Sequence, residues 1–421
     1  MSGYFNFTPH ILELAAQAEK TARPSFSRIE EISAHNTEKV LWAFGKHRVS
    51  DSMFAGTTGY GYNDTGRETL DALFADLFGA ESALVRLGFV NGTHAISAAL
   101  FAAVRPGTTL LSATGAPYDT LMETIGTRGG GGMSLRDYGV IYRQCELSSD
   151  GLPDLDGIKT AAADNNISAV FIQRSKGYSA RRSLSCRDIE NIVLTVRSVN
   201  RHAAVVVDNC YGEFAETREP CEAGADLVAG SLIKNPGGGL APAGGYIVGR
   251  RELVERAAFR LTAPGIGGEC GSTLGQNRLL FQGLFMAPHV VGEALKTAVF
   301  CASLMSLMGY PVNPPPGEVR YDIIQSVELG GAEKVLAFCR GIQSCAPVDS
   351  FAAPEPWDMP GYDCPVVMAA GAFVQGASIE LSADAPMREP YTVFMQGGLT
   401  FDAGRLGVMR AAQNVAEVAE K

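Results

Sequence analysis

The sequence has no excess of basic residues. Lysine and arginine together number 35 and aspartate and glutamate 45, which gives a formal charge of -10 at pH 7. Proteins that bind nucleic acid use clustered lysine and arginine to contact phosphates. The one short basic cluster, Arg181, Arg182 and Arg187, is expected to be a solvated helix start or an anion contact. We therefore expect no nucleic-acid partner.

The sequence also lacks the cysteine patterns of disulfide frameworks and zinc sites. Its nine cysteines are odd in number, and no two of them are spaced as C-x-x-C. Extracellular frameworks use paired cysteines, and structural zinc sites use closely spaced ones. We therefore expect free thiols, no metal site and a cytoplasmic location.

Long apolar runs and an export signal are missing as well. No run approaches the roughly 18 apolar residues that indicate a membrane span. The first ten residues have no basic region followed by an apolar core. We expect a protein with no membrane partner.

The pattern from about residue 83 to residue 248 alternates between apolar strands and helices. Such alternation predicts an α/β fold with a mostly parallel central sheet covered on both faces. Before it, we expect two helices separated by Arg23-Pro24 and a long loop rich in glycine, threonine and tyrosine. After it, the pattern predicts a smaller α+β domain. With 421 residues, the chain is predicted to divide into residues 1–63 (helices and loop), 64–290 (large domain) and 291–421 (small domain). The predicted strands are Ala83–Leu87, Thr109–Ser112, Val140–Glu146, Ala169–Gln173, Ala204–Val207, Leu227–Ala229 and Tyr246–Val248.

One lysine stands in an unusual setting. Lys234 lies in Gly-Ser-Leu-Ile-Lys-Asn-Pro-Gly-Gly-Gly (residues 230–239), downstream of Asp208, which ends the apolar run Ala-Ala-Val-Val-Val-Asp. Pyridoxal phosphate needs a lysine amine for its Schiff base and a carboxylate that keeps its ring nitrogen protonated. A single strand-end aspartate is more often a cap, and a single lysine is usually a surface charge. The combination favours a pyridoxal phosphate site.

A phosphate-binding segment is expected at the same edge of the sheet. The stretch Gly-Phe-Val-Asn-Gly-Thr-His-Ala-Ile (residues 88–96) follows a strand and opens a helix, where free N–H groups bind anions. The backbone of Gly92, Thr93 and His94, with the Thr93 hydroxyl, would hold the phosphate. Ser231, three residues before Lys234, is a further candidate. Many helix starts contain Gly and Thr, and His94 could be only a satisfied polar residue.

Other side chains are candidates for the ring and the substrate. Tyr118 follows the next strand and could stack on the pyridine ring; a core or turn tyrosine is the alternative. Arg174 and Arg405 could each bind a substrate carboxylate, and Arg174 could instead neutralise the phenolate oxygen of the cofactor. A solvated surface arginine is the alternative for either.

These segments resemble the fold-type I pyridoxal phosphate enzymes, and more narrowly the methionine gamma-lyase-like family of aluminium resistance proteins, which is related to cystathionine beta-lyases. The resemblance extends from about Gly56 to Arg405. It rests on the stretches Asn-Gly-Thr-His-Ala-Ile, Gly-Ala-Pro-Tyr-Asp-Thr-Leu, Ile-Gln-Arg-Ser-Lys-Gly-Tyr-Ser, Val-Val-Asp-Asn-Cys-Tyr-Gly-Glu-Phe, the glycine-rich lysine segment and Gln-Gly-Gly-Leu-Thr.

The resemblance implies roles for individual residues. Lys234 would be the Schiff-base lysine, Asp208 the partner of the ring nitrogen, Tyr118 the stacking ring and Ser231 a phosphate ligand. Related lyases extend a tyrosine-bearing loop to the cofactor of a neighbouring subunit. That loop would carry Tyr60 or Tyr62, so a homodimer or homotetramer is expected. The C-terminal Phe-Asp-Ala-Gly-Arg (residues 401–405) differs from the tyrosine and lysine expected there, and this leaves substrate recognition open.

The predicted function is a carbon–sulfur lyase acting on a sulfur-containing amino acid, with Lys234 or Tyr118 removing the alpha proton. The sequence does not decide between cystathionine and methionine as the substrate. It also does not decide between beta and gamma elimination as the reaction. The alternatives are another pyridoxal phosphate reaction (transamination, decarboxylation or aldol cleavage) and a cofactor-binding protein without turnover.

Overall fold

The computed structural model describes residues 4–129, 131–359 and 363–419. The chain forms two compact units, one of residues 35–286 and one of residues 1–34 together with residues 287–421. The sequence predicted three parts, residues 1–63, 64–290 and 291–421. This division into domains stays a prediction.

The larger unit contains a seven-stranded sheet in the order β1-β7-β6-β5-β4-β2-β3. Strand β7 runs antiparallel to both of its neighbours, and the other pairs are parallel. The predicted mostly parallel α/β sheet is therefore confirmed, and each predicted strand lies within two residues of an observed one. The strands are β1 Ser82–Arg86, β2 Thr109–Ser112, β3 Ile141–Gln144, β4 Ile167–Gln173, β5 Ala204–Asp208, β6 Leu227–Ser231 and β7 Gly245–Gly249.

Helices connect most of these strands and cover the sheet. Every residue of β5, Ala-Val-Val-Val-Asp, is buried, as expected for a strand covered on both faces. Helix α3 packs Ala95 and Ala99 into the core cluster that includes Val206 and Ile247. The helices are α1 Pro9–Lys46, α2 Thr65–Phe78, α3 Gly92–Ala103, α4 Asp119–Ile125, α5 Leu155–Ala162, α6 Cys186–Val199, α7 Arg251–Leu261, α8 Asn277–Leu307, α9 Ala332–Ser344 and α10 Phe401–Ala419.

The expectation of two N-terminal helices is wrong, because α1 continues through Pro24. A proline removes one helical N–H and normally costs about 3 kcal/mol. The stripe Ala18, Ala22, Phe26 and Ile29 repeats at helical spacing and is buried. Burial of this stripe on both sides of the proline offsets the lost hydrogen bond. Helix α8 likewise continues through a proline, Pro288.

The second unit contains a five-stranded antiparallel sheet in the order β10-β11-β12-β9-β8 with α9 and α10. An α+β arrangement was predicted, but β8, β11 and β12 were not. The sequence of β11, Ser-Ala-Asp-Ala-Pro, resembles a turn. Its Asp384 is buried and accepts a hydrogen bond of 2.7 Å from Gln396 of β12. The strands are β8 Val312–Asn313, β9 Ile324–Glu328, β10 Val366–Ala369, β11 Ser382–Pro386 and β12 Thr392–Gln396.

Helix α8 is long and apolar enough to span a membrane by length and composition. However, 78% of its most apolar 18-residue window is buried inside the protein. Core helices of soluble proteins share these properties, so α8 is weak support for a membrane span. The expected absence of a membrane partner stays a prediction.

Candidate active site

The candidate site lies where parallel strands of the large unit end side by side. Gln173 at the end of β4 pairs in register with Asp208 at the end of β5, and β6 ends beside them at Ser231. Because the strands are parallel, the residues that follow them meet at one edge of the sheet. The N-terminus of α3 approaches the same edge, since Gly92 lies against Cys210 and Ser231.

Lys234 lies in the turn after β6, at the residue before a 3-10 helix of Asn235–Gly237. Its ammonium nitrogen lies 3.9 Å from the centre of the Tyr211 ring. Burial alone would lower the pKa of Lys234. The acidic groups around it raise the pKa by more, so the net shift is upward; they include Cys210, Tyr211 and Asp208. The amine must therefore lose a proton before it can attack a carbonyl group.

Asp208 is buried at the end of β5, and its Oδ1 accepts a 3.0 Å hydrogen bond from the backbone N–H of Cys210. Burial raises the pKa of this carboxyl group, while Lys234 and the bonds from Cys210 oppose the rise. A positive charge placed against Asp208 would favour its ionised form. The carboxylate is thus suited to hold a protonated ring nitrogen.

The groups around the start of α3 leave one buried hydroxyl without a partner. Ser231 is 1% exposed, and its Oγ makes no hydrogen bond within the described residues. A Cβ on Gly92 would lie 3.2 Å from the Ser231 Cβ and 3.3 Å from the Cys210 Sγ, so glycine permits this close approach. A phosphate at the α3 N-terminus would supply the missing acceptor for Ser231.

His94 makes two hydrogen bonds with the loop before α3. Its backbone N–H donates to the Asn91 side chain (2.9 Å), which caps α3, and its ring Nδ1 accepts from the Val90 N–H (3.2 Å). Burial, and then Arg260, lower the pKa of the ring. His94 therefore shapes the loop before α3, and the predicted phosphate contacts of Gly92, Thr93, His94 and Ser231 stay predictions.

Tyr118 is placed beside the same segment. Its hydroxyl lies 3.0 Å from the Thr93 Oγ1, and its backbone N–H donates to the Gln173 side chain (2.9 Å). Burial and the nearby Asp208 raise its pKa well above the ordinary value. A phenol with so high a pKa keeps its proton, so Tyr118 is suited to cover a ring and poorly suited to act as a base.

Sequence reasoning missed two residues that position Lys234. Tyr211 adopts a left-handed backbone (φ 74°), which is unusual outside glycine. The side chain of Asn235 donates to the backbone carbonyls of Tyr211 (3.0 Å) and Glu213 (2.9 Å). These bonds join the segment after β5 to the segment after β6. The only available signal was that Tyr211 and Asn235 lie within three residues of Asp208 and Lys234.

The prediction that Arg174 binds substrate is not supported by its contacts. The guanidinium is fully buried and donates to the Asn209 Oδ1 (2.7 Å) and the Glu216 Oε2 (2.6 Å). Its Nε donates to the Leu184 carbonyl (3.3 Å). Arg174 thus supports Asn209, next to Asp208, and its role toward substrate or cofactor stays a prediction.

The remaining candidates lie elsewhere along the chain. Tyr60 and Tyr62 are exposed and stack on each other with ring centres 5.5 Å apart. A hydrogen bond with Cys270 raises the pKa of Tyr62. Arg405 belongs to the second unit, where its Nε lies 3.6 Å from Glu19. The roles of these three residues stay predictions. Within the described ranges no cluster of His, Cys, Asp or Glu is arranged to bind a metal ion, and the expectation of no metal site also stays a prediction.

Comparison with known proteins agrees with this geometry. The methionine gamma-lyase family model matches residues 11–416. The chain belongs to the methionine gamma-lyase family. It is 48% identical over 402 residues to YnbB of Bacillus subtilis, an uncharacterized protein, with 95% of each chain covered.

Solved structures extend the family comparison to the fold. A carbon–sulfur lyase involved in aluminum resistance from Clostridium novyi is 49% identical, with a TM-score of 0.93 and coverage of 97% of this chain and 96% of that one. The pyridoxal-5'-phosphate dependent protein YhfS of Escherichia coli shares the fold, with a TM-score of 0.61 at 18% identity and coverage of 93% of this chain and 97% of that one. The predicted fold-type I architecture and the predicted family are confirmed.

Membership of this family implies pyridoxal phosphate as the cofactor. The residues fit this group in three independent ways: a lysine amine after β6, a buried carboxylate after β5 and a buried hydroxyl without a partner at the start of α3. Each matches one part of the cofactor, namely its aldehyde, its ring nitrogen and its phosphate. The predicted cofactor is therefore confirmed at the level of the family.

Proposed function

We propose that this protein is a carbon–sulfur lyase that acts on a sulfur-containing amino acid. The observation that carries the proposal is the convergence of Lys234, Asp208 and the unpartnered Ser231 at one sheet edge, in a member of this family. The Clostridium novyi relative, which matches almost the whole chain, is described as a carbon–sulfur lyase. The proposed substrates are cystathionine and methionine.

Each residue has a proposed role toward the cofactor. Pyridoxal phosphate, when bound, supplies an electron sink for the bonds at the substrate's alpha carbon. Lys234 would hold it through its amine. Asp208 would keep the proton on its ring nitrogen, and Tyr118 would cover its ring. Gly92, Thr93 and Ser231 would bind its phosphate.

Lys234 is the group that we propose moves the substrate's alpha proton. The high pKa of Tyr118 disfavours the phenol as the base. The Lys234 ammonium is surrounded by acidic groups that stabilise its charge, so an amine released there accepts a proton readily. Removal of the alpha proton and departure of a beta or gamma thiol would leave an unsaturated amine, which one water hydrolyses to a 2-oxo acid and ammonia.

An assay of these three products tests the proposal. The purified holoenzyme, incubated with cystathionine, methionine or cysteine, should release thiol, ammonia and 2-oxo acid in equal amounts. Lys234→Ala should abolish this release, whereas Lys159→Ala, an exposed position on α5, serves as a matched control and should not. Formation of 2-oxo acid without ammonia would instead indicate a transaminase. Cofactor binding without any turnover would indicate a binding protein.

We also propose that the protein is a homodimer or homotetramer located in the cytoplasm. The exposure of the stacked Tyr60 and Tyr62 rings supports a surface that a second subunit covers. All nine cysteines are free, which supports a reducing compartment.

A further inference from the structure

A buried carboxyl group lies beneath the candidate site and has no part in the proposed chemistry. Glu213 is 0% exposed, and its Oε1 accepts a 2.8 Å hydrogen bond from the hydroxyl of Tyr246, which is also fully buried. Its Oε2 makes no hydrogen bond within the described part of the chain. A buried polar atom without a partner is costly, so the arrangement calls for an explanation.

Glu213 is connected to both ends of the candidate site. The Asn209 side chain, next to Asp208, donates to the Tyr246 hydroxyl (3.3 Å), which in turn donates to Glu213. On the other side, the backbone carbonyl of Glu213 accepts from Asn235, the residue after Lys234 (2.9 Å). A single residue thus joins the Asp208 segment to the Lys234 segment.

The packing of β6 is arranged around this carboxyl group. A Cβ on Gly230 would lie 2.6 Å from the Glu213 Oε1, which is closer than real Cβ contacts allow. Gly230 directly precedes Ser231, the proposed phosphate ligand. The strand that carries Ser231 therefore depends on glycine to make room for Glu213.

The surroundings of Glu213 favour an uncharged carboxyl group. Burial raises the pKa of Glu213 to about 8, although its own backbone N–H, Tyr246 and Lys234 oppose the rise. Helix α2 contributes only the apolar rings of Phe74 and Phe78, which pack on Tyr246. The titratable groups that face Glu213 from the neighbouring segments are Cys210, Glu219, Lys234 and Tyr246.

We propose that Glu213 is a positioning residue for Lys234, and that it acts as an uncharged acid, which leaves Asp208 as the charged carboxylate near the Lys234 amine. The geometry that carries this inference is the pair of connections through Tyr246 and Asn235. A charged Glu213 would add a second negative charge that interacts with Lys234, in competition with Asp208. The inference rests on the proposed role of Lys234 toward the cofactor.

Infrared spectroscopy of the protein with and without cofactor tests the protonation directly. The difference spectrum between wild type and Glu213→Gln should show a protonated carboxyl band at pH 7 that disappears as the pH passes about 8. Tyr246→Phe should shift this disappearance to higher pH, because the Tyr246 hydrogen bond lowers the pKa of Glu213. Tyr246→Phe decides the question if Glu213→Gln does not fold. No protonated band at pH 7, or an unshifted titration in Tyr246→Phe, would overturn the inference.

The positioning role has its own readouts. The visible absorbance of the bound cofactor should contain an ionisation near pH 8 in the wild type that is lost in Glu213→Gln and moves upward in Tyr246→Phe. An identical visible titration in all three proteins would refute the action of Glu213 on Lys234. If the infrared band is present but no protein carries cofactor on Lys234, the proposed function fails while the protonation of Glu213 stands.

Stability should follow the same ionisation. The pKa of Glu213 is raised above its ordinary value of 4.5 in the folded protein, so the unfolded chain loses this proton first as the pH rises. Wild-type stability therefore declines as the pH rises from about 4.5 to about 8, and the Gln variant escapes that decline. Relative to wild type, the unfolding free energy of Glu213→Gln should therefore increase as the pH rises over this range. A constant difference would contradict a protonated Glu213.

Discussion

At the scale of single residues, a change at Ser231 can separate an effect on protein stability from an effect on cofactor binding. Its hydroxyl is buried without a partner in the described chain, so Ser231→Ala should leave the stability of the apoprotein unchanged or slightly raised. The same change should weaken pyridoxal phosphate binding about 10- to 100-fold, since a hydrogen bond to a charged group contributes about 1.5–3 kcal/mol.

Equilibrium cofactor titration and urea unfolding measure the two effects of Ser231→Ala separately. Ser198→Ala, on the exposed face of α6, is the matched control and should alter neither. Unchanged cofactor affinity in Ser231→Ala would show that the phosphate binds elsewhere.

The sequence was sufficient to predict that Lys234, Asp208 and Ser231 lie at one edge of the sheet, because a strand-end carboxylate and a lysine among glycines are distinctive together; their roles toward the cofactor stay predictions. It did not predict the buried contacts of Arg174. Gln173 and Arg174 are neighbours at a strand end, and successive side chains of a strand point to opposite faces. Gln173 contacts Tyr118, whereas Arg174 contacts Asn209. Glu213 escaped prediction because only the three-dimensional packing buries it.

At the scale of elements, Asp64 fixes the loop that carries Tyr60 and Tyr62. Its carboxylate caps α2 through the Arg67 N–H (2.9 Å) and accepts from the hydroxyls of Thr57 and Thr273 (2.5 Å each). Burial opposes its ionisation, but these hydrogen bonds lower the pKa of Asp64 overall. The stabilisation is therefore present above the ordinary pKa of an aspartate and is lost as the pH falls.

Asp64→Ala should release this loop while the sheet stays folded. We expect a loss of about 2–4 kcal/mol in unfolding free energy and faster hydrogen exchange confined to the Tyr60–Tyr62 loop and the 271–277 segment. Asp150→Ala, an exposed aspartate, is the control. Uniformly faster exchange across the sheet would show that Asp64 supports the whole fold and not the loop.

Element types followed from the sequence wherever periodicity was strong, as in the seven strands of the large unit. The predicted break at Pro24 was wrong, because the sequence shows the hydrogen bond that a proline removes but not the burial that offsets its loss. Strand β11 was missed because its aspartate finds a cross-strand partner, Gln396, more than ten residues away.

At the scale of the whole molecule, the proposed oligomer can be tested by complementation. If Tyr60 reaches a neighbouring subunit's cofactor, Lys234→Ala and Tyr60→Ala damage different halves of a shared site. Each variant alone should be inactive or strongly impaired. A 1:1 mixture of the two, dissociated and reassembled at random, should regain up to about a quarter of the wild-type activity per subunit, because about half of the dimers are mixed and one of the two sites in each mixed dimer is intact. Light scattering reports the assembly size. No recovery from mixed oligomers would contradict a shared site.

The central claim is that Lys234 carries the cofactor. Borohydride reduction of the holoenzyme, followed by digestion and mass spectrometry, locates the lysine that is covalently bound to pyridoxal phosphate. We expect a phosphopyridoxyl group on the peptide that contains Lys234, and no such group in Lys234→Ala. A modified lysine at any other position in the wild-type protein, or no modified lysine in a cofactor-loaded sample, would contradict it.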